Sequence, residues 1–235
     1  MPTILAIETS TELASAALLL GDQLHTLDTD GVKTHSDAVL PLVQQLLAQA
    51  GIRLDQCDAL AFGSGPGSFT GVRTAAGVVQ GLAFGSGRPV IPVLTLLAMA
   101  QACRARTGAA DIVAILDARM GEVYWAQYRY DEHGDAGWRE VVAPALSAPA
   151  AVMPQGPVVA CGNGLQAYAE AFAGAPFAVG AMPAVMPHAR HIAELARLAH
   201  ARGEALPAQE AQPLYLRNKV ALTTSERMAR AGAPA

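Results

Sequence analysis

A short pattern at the start of the chain returns near its middle. Ile4–Glu8 (ILAIE) is an apolar run closed by one acid, and Ile112–Asp117 (IVAILD) repeats it. A short polar turn and an apparent hairpin follow each copy, the second hairpin at Val123–Tyr130. A true repeat confines the chain to two similar α/β units joined near residue 108, with Glu8 and Asp117 facing one cleft. Ligands of open α/β sheets bind outside the carboxyl ends of strands, where both acids would stand. Strands also often end in an acid at a turn, and so short a match leaves both readings open. A length of 235 residues suits one large domain or two small ones.

The rest of the pattern is read between these two copies. Ala14–Leu20 and Gln23–Asp28 extend the first strand into a meander turned at Gly21-Asp22. From His35 to Ala50, Val39, Val43, Leu46, Leu47 and Ala50 form a helical stripe closed by Gly51. A short strand at Ala59–Gly63 leads into GSGPGSFTG and a helix over Thr70–Gly85. Pro89–Val93 reads as a strand and Thr95–Arg106 as a helix. Further helices are expected at Leu165–Phe172 and His188–Arg202. Pro144–Pro157, rich in Ala and Pro, reads as a surface crossing, and the end of the chain as a frayed tail.

Composition narrows the functional classes. Hydrophobic residues make up 52% and charged residues 15%, which supplies a core and excludes a disordered chain. The net charge is −4, with six basic and eight acidic residues before Ala110 and ten and twelve after it. Neither half has the basic excess of a free-standing nucleic-acid binder, so RNA binding by this chain alone is not expected. Three scattered cysteines, Cys57, Cys103 and Cys161, suggest neither a disulfide framework nor a thiolate metal site. The opening run holds Glu8 and no basic leader, which argues against a secretory signal. Ala75–Cys103 carries only Arg88 as a charge, but glycines and prolines break it well short of the about 20 apolar residues of a span. A cytoplasmic protein without a membrane segment is expected.

The loop Gly63–Gly71 lies where phosphate loops lie, between a strand and a helix. It lacks a Walker pattern, since the only lysines are Lys33 and Lys219. The dinucleotide fingerprint fails too: Thr70 stands where a third glycine belongs, and no acid occurs between Asp58 and Asp111. The loop is read as conformational first and as an anion site second. The helix after it carries Gly77, Gly81 and Gly85 on one face, each costing about 0.5–1 kcal/mol relative to Ala. Something therefore packs close there, either the chain's own sheet or a helix of another chain. His188 and His191 form HxxH without a third ligand, and Ser64, Ser68 and Ser86 have no identifiable base. No catalytic residue and no metal site emerges.

The segments ILAIETSTELASAAL, THSDAVLP, GSGPGSFTGVR, ILDARMGEVY and PLYLRNKVA stand in an order and spacing that resemble the bacterial TsaB (YeaZ) family. That family is the dimerisation subunit of the tRNA threonylcarbamoyladenosine biosynthesis complex. The resemblance runs from about residue 3 to 221, and GPGSFTGVR and PLYLR are its most specific parts. The opening block alone points only to the wider actin-like, sugar-kinase and heat-shock superfamily.

The resemblance implies two RNase H-like α/β lobes in an actin-like arrangement, residues 1–108 and 109–221, with 222–235 a flexible tail. It implies a non-catalytic subunit that helps place threonylcarbamoyl on the adenosine beside the anticodon of ANN-decoding tRNAs. A paralogous transferase would do the chemistry, and a small P-loop ATPase would complete the assembly. ATP and Mg²⁺ would be used by the complex and no cofactor by this chain itself. Weak nucleotide binding would use Glu8, Ser10, Asp117, Gly162, Asn163 and Gly164. The partner contact would fall on the first two helices, through His35, Val39, Val43, Leu46, Leu47, Arg73, Gly77, Gly81 and Gly85. Val43→Glu or Gly81→Arg is then expected to break the contact and spare the fold. The paralogue's paired histidines are matched here only by His35, within Thr34–Pro41, so no metal is expected. The tRNA would be held mainly by the partner, with help from Arg217, Lys219, Arg227 and Arg230. Two rivals are a homodimer built on the same apolar surface, and an actin-like Mg²⁺–ATP hydrolase or phosphotransferase using Glu8 and Asp117.

Overall fold

Two sheets with the same connectivity organise the chain. Residues 1–29, 35–132 and 137–217 are described in the computed structural model. The first sheet is built from β1 (Ile4–Glu8), β2 (Ser15–Leu20), β3 (Gln23–Asp28), β4 (Ala59–Gly63) and β5 (Val90–Val93) in the order β3-β2-β1-β4-β5. The meander β1–β3 is antiparallel, and β4 returns parallel to β1 after helix α1 (His35–Ala50). Helix α2 (Phe69–Ser86) links β4 to β5, and α3 (Thr95–Thr107) follows. The second sheet repeats this plan with β6 (Asp111–Arg119), β7 (Glu122–Tyr130), β8 (Trp138–Ser147) and β9 (Val159–Cys161), in the order β8-β7-β6-β9. Here too the meander is antiparallel, and β9 pairs parallel with the first strand of its unit. The repeated acid-ended strand therefore marks two RNase H-like lobes in an actin-like arrangement.

Alternation along β1 feeds both faces of the first sheet. Leu5 and Ile7 join Val39, Val43 and Leu46 of α1 and Ala75 and Val79 of α2 in one core. Ile4 and Ala6 face the other way and pack on Ile192, Ala193, Leu195 and Ala196 of α5 (Ala189–Ala201). Helix α5 thus lies late in the chain yet covers the first sheet. Helix α3, made before the second sheet, puts Met99, Ala100 and Cys103 into the core around Ile112, Ala114 and Leu116. A polar chain ties these helices together. The Trp138 indole donates to Gln101 Oε1 at 2.8 Å, and the Gln101 amide donates to Glu194 at 3.1 Å.

Several elements depart from the sequence expectations. Pro144–Pro157 was expected to cross the surface, and its start, from Pro144 to Ser147, forms the end of β8, the edge strand. Proline fits an edge because its missing N–H faces no neighbour there. The pairing register of β7 with β8 slips around Gln127, between Val142 and Ala145. The helix expected over Leu165–Phe172 is only α4 (Gly164–Ala167), followed by turns. All three cysteines are free and buried. Among the described residues, no helix is long and apolar enough to cross a membrane. The expected tail at 222–235 lies outside the described residues.

Candidate functional site: the cleft between the lobes

A cleft of about 410 Å³ opens between the carboxyl ends of the two sheets. Its walls are the turn Ser10–Glu12, the start of α2 with Phe69 and Val72, the β6 end from Leu116 to Met120, Asn163, and the segment Leu214–Arg217. The loop GSGPGSFTG shapes one wall by close packing. A Cβ at residue 71 would stand 1.9 Å from the Thr9 carbonyl oxygen, so only glycine lets α2 approach the end of β1. The Thr9 hydroxyl donates to the Gly71 carbonyl at 2.6 Å, and the Ser68 amide donates to the Ser10 carbonyl at 2.7 Å. Ser68 also caps α2 by accepting from the Gly71 amide.

The other lobe repeats the device. At Gly162, φ is +108°, and a Cβ there would lie 2.2 Å from the Ile115 carbonyl oxygen. Gly164 likewise sits against the Ile115 side chain. Both glycines serve the approach of the β9 turn to β6. Asn163 projects to the cleft wall, and its Oδ1 accepts from the Asp117 amide at 2.9 Å.

The two acids have different fates. Glu8 is fully buried, and its Oε1 accepts from the Ser10 amide while Oε2 has no hydrogen-bond partner. Ser10, also buried, stands between it and the cleft, and the Ser10 hydroxyl is without a partner too. Burial raises the Glu8 pKa despite the opposing hydrogen bond from the Ser10 amide. Asp117 lines the cleft, but its oxygens are taken. Oδ1 accepts from the Tyr168 hydroxyl at 2.9 Å and the Arg119 amide at 2.8 Å, and Oδ2 lies 3.2 Å from the Arg119 guanidinium. Burial, followed by the Asp117 carboxylate, raises the Tyr168 phenol's pKa. A sealed, protonation-prone Glu8 and an Asp117 tied to Arg119 do not fit the open acid pair that Mg²⁺–nucleotide chemistry requires. Among the described residues, no three His, Cys, Asp or Glu side chains gather as a metal-binding group.

Residues that sequence reasoning passed over close the cleft. Arg119 reaches Glu12 at 2.5 Å across the cleft while holding Asp117. Arg217 puts its guanidinium on Glu122 at 2.6 Å and on the Ala118 carbonyl at 3.2 Å. It is engaged within the chain in this structure. Lys219, Arg227 and Arg230 lie outside the described residues. The ILDARMGEVY and PLYLR blocks held the signal for Arg119, Tyr215 and Arg217, but nothing in their spacing showed that they meet.

The helices expected to carry the partner divide sharply. Val39, Val43 and Leu46 are 1–2% exposed and belong to the chain's own core, and Leu47 packs against it. The buried part of the α1 stripe, Val39, Val43 and Leu46, is spent on the chain's own core and is not offered to a partner, whereas Leu47 is only partly buried. Val43→Glu would attack the fold. Helix α1 begins at His35, whose side chain lies outside the described part. Gly77, Gly81 and Gly85 point outward, and none of the described residues lies within 4 Å of a Cβ at any of them. Phe84 beside them is 84% exposed. Arg73, one turn before Gly77 on the same line, is exposed and stacks on Phe69 at 3.6 Å.

Comparisons with known proteins agree on one family. Residues 24–227 match the family described as TsaD: tRNA N6-adenosine threonylcarbamoyltransferase. A Haemophilus influenzae protein named tRNA threonylcarbamoyladenosine biosynthesis protein TsaB is 40% identical over 93% of this chain and 94% of its own length. The Escherichia coli protein of the same name is 39% identical over 93% and 96%. The structure of YeaZ from Pseudomonas aeruginosa superposes with a TM-score of 0.83 at 40% identity, covering 92% of this chain and all of that one. With its paired lobes, its glycine-packed cleft and these relatives, the chain belongs to the TsaB (YeaZ) family.

Proposed function

We propose that the chain works in tRNA threonylcarbamoyladenosine biosynthesis, the process named in its relatives, as a non-catalytic subunit that binds and activates a paralogous transferase. The observation that carries this reading is the outward face of α2. Three glycines there each give up helix stability, and among the described residues no neighbour accounts for them. A helix of a second protein could approach that face closely, as small residues on a helix permit. The engaged Asp117 and sealed Glu8 favour an accessory role over hydrolysis by this chain.

In the proposed assembly the paralogous transferase performs the transfer, a small P-loop ATPase consumes Mg²⁺–ATP, and tRNA is reached through the partners. The chain takes no cofactor of its own and acts in the cytoplasm. Alone, the same α2 face pairs two copies.

Reconstituting the transfer with transferase, ATPase, ATP and tRNA tests the reading. Activity that needs this chain, and is lost with Gly81→Arg while the fold persists, is expected. Full activity without the chain, or with a folded Gly81→Arg chain, would overturn it.

A further inference from the structure

The segment Ala211–Arg217 crosses the cleft from one lobe to the other, and every described turn of it is anchored. Its start is fixed to α2, where the Gln80 amide donates to the Ala211 carbonyl at 2.8 Å and Ala211 is fully buried. The Leu214 amide then donates to the Ser64 carbonyl at 2.7 Å, beside the cleft loop. The Tyr215 hydroxyl accepts from Arg73 Nε at 3.0 Å, and the Tyr215 ring lies 6.2 Å from Phe69. One residue later the chain changes lobes. Leu216 packs against the core of the second sheet, and the Arg217 guanidinium clamps Glu122, the Ala118 carbonyl and the Met120 sulfur. Leu214–Arg217 are also walls of the cleft, so it cannot widen on that side while both ends hold.

We propose that Ala211–Arg217 is a latch that keeps the two lobes closed over the cleft, with Tyr215 and Arg217 as its two catches. The design is asymmetric. The Arg217 side chain is only 14% exposed and bonds to backbone carbonyls, a charge-assisted fork that resists solvent. Tyr215 is half exposed and is held by Arg73, itself exposed on α2. The Tyr215 catch is therefore the one that outside contacts reach. Arg73 continues the line of Gly77 and Gly81 at one-turn spacing, so a body seated on that line touches the residue that holds the latch. Contact on α2 and closure of the cleft become linked through Arg73, Tyr215 and Arg217, with no movement required inside either core.

Amide hydrogen exchange on the full chain alone tests the latch, so a failure here is distinct from a failure of the proposed assembly. Arg217→Ala removes the second-lobe catch. It should speed exchange at the Leu214 amide, on the opposite lobe, by about tenfold, the scale of one lost charge-assisted hydrogen bond. Tyr215→Ala should in turn speed exchange at the Arg119 amide, while Tyr215→Phe, which keeps the ring, should have a smaller effect. Amides of Ile112–Leu116 report the fold and should not change. If Arg217→Ala disturbs them, Arg217→Lys supplies the reading, since it keeps the charge near Glu122 and loses the fork. Acceleration confined to the side of each substitution, or none at all, would overturn the latch.

Discussion

The Glu8 Oε2 oxygen stands 1.8 Å from where a Cβ on Gly63 would sit. The end of β4 is thus shaped around a carboxyl group on the neighbouring strand. Gly63→Ala should cost about 1–3 kcal/mol, the range of overpacking, because the fully buried Glu8 side chain must shift to admit the methyl. Combining it with Glu8→Ala should recover part of that loss, because the two changes act on one space. Denaturant unfolding of the single and double variants measures both. Equal midpoints for wild type and Gly63→Ala would mean the carboxyl moves aside freely.

Glu8 also sets a pH dependence. Its folded pKa is raised above the ordinary 4.5, so the folded state holds the proton more tightly than the unfolded state. The stability tied to the protonated form is fully present below pH 4.5 and is lost as pH rises through the folded pKa. Glu8→Gln cannot ionise and avoids that loss. The variant should therefore gain melting temperature relative to wild type as pH rises from 4.5 towards neutrality. A constant difference across that range would refute the assignment.

Glu194 carries the opposite sign. Burial works against its charge, but the His191 ring at 3.0 Å and the Gln101 amide outweigh it and hold the carboxyl below its ordinary range. Its contribution is present above about pH 4.5 and is lost as pH falls through the folded pKa. Glu194→Gln should flatten acid unfolding at that end, and thermal melts between neutral and acid pH read the effect.

The face of α2 separates fold from association. Gly81→Ala should stabilise the monomer, at dilutions where copies do not pair, by about 0.5–1 kcal/mol, since its new methyl meets none of the described residues and helix propensity improves. Gly81→Arg should leave the melting temperature of the dilute monomer nearly unchanged and abolish association. Val43→Glu, by contrast, should unfold the first lobe, because it places a charge in the core.

The hairpin between β6 and β7 carries strain that can be relieved. Arg119 pairs with Glu122, leaving Met120 and Gly121 as a two-residue loop with φ of 60° and 83°. Such loops favour Asn-Gly. Met120→Asn should raise stability by about 0.5 kcal/mol even though Arg217 gives up its sulfur contact. A lower melting temperature would show that the sulfur matters more than the turn.

How far the sequence carried this result depends on the kind of residue. The two repeated apolar strands were legible because periodicity is a local feature, although β6 runs two residues past Asp117 to Arg119, and the glycine stripe of α2 was legible too. Which way that stripe faces was not legible, since four-residue spacing reads the same whether a sheet or solvent lies beyond. The stripe of α1 misled for the same reason: Val39, Val43 and Leu46 are spaced like a docking face and are spent on the core that α1 shares with the first sheet and α2. In the site, Glu8, Asp117 and Asn163 could be named from their turns. Arg119 and Tyr215 could not, and Arg217 was named only for tRNA, because their meeting depends on the angle between lobes, which no segment encodes alone.

The position of α5 has a consequence for how the protein is made. Ile4 and Ala6 are synthesised first, yet the surface that covers them, Ile192, Ala193 and Leu195, is synthesised near the end. On the ribosome the first sheet emerges with one side bare and stays so while the whole second sheet is translated. A fragment ending near residue 108 would keep that bare side permanently. It should aggregate, and adding an α5 peptide in trans should rescue it.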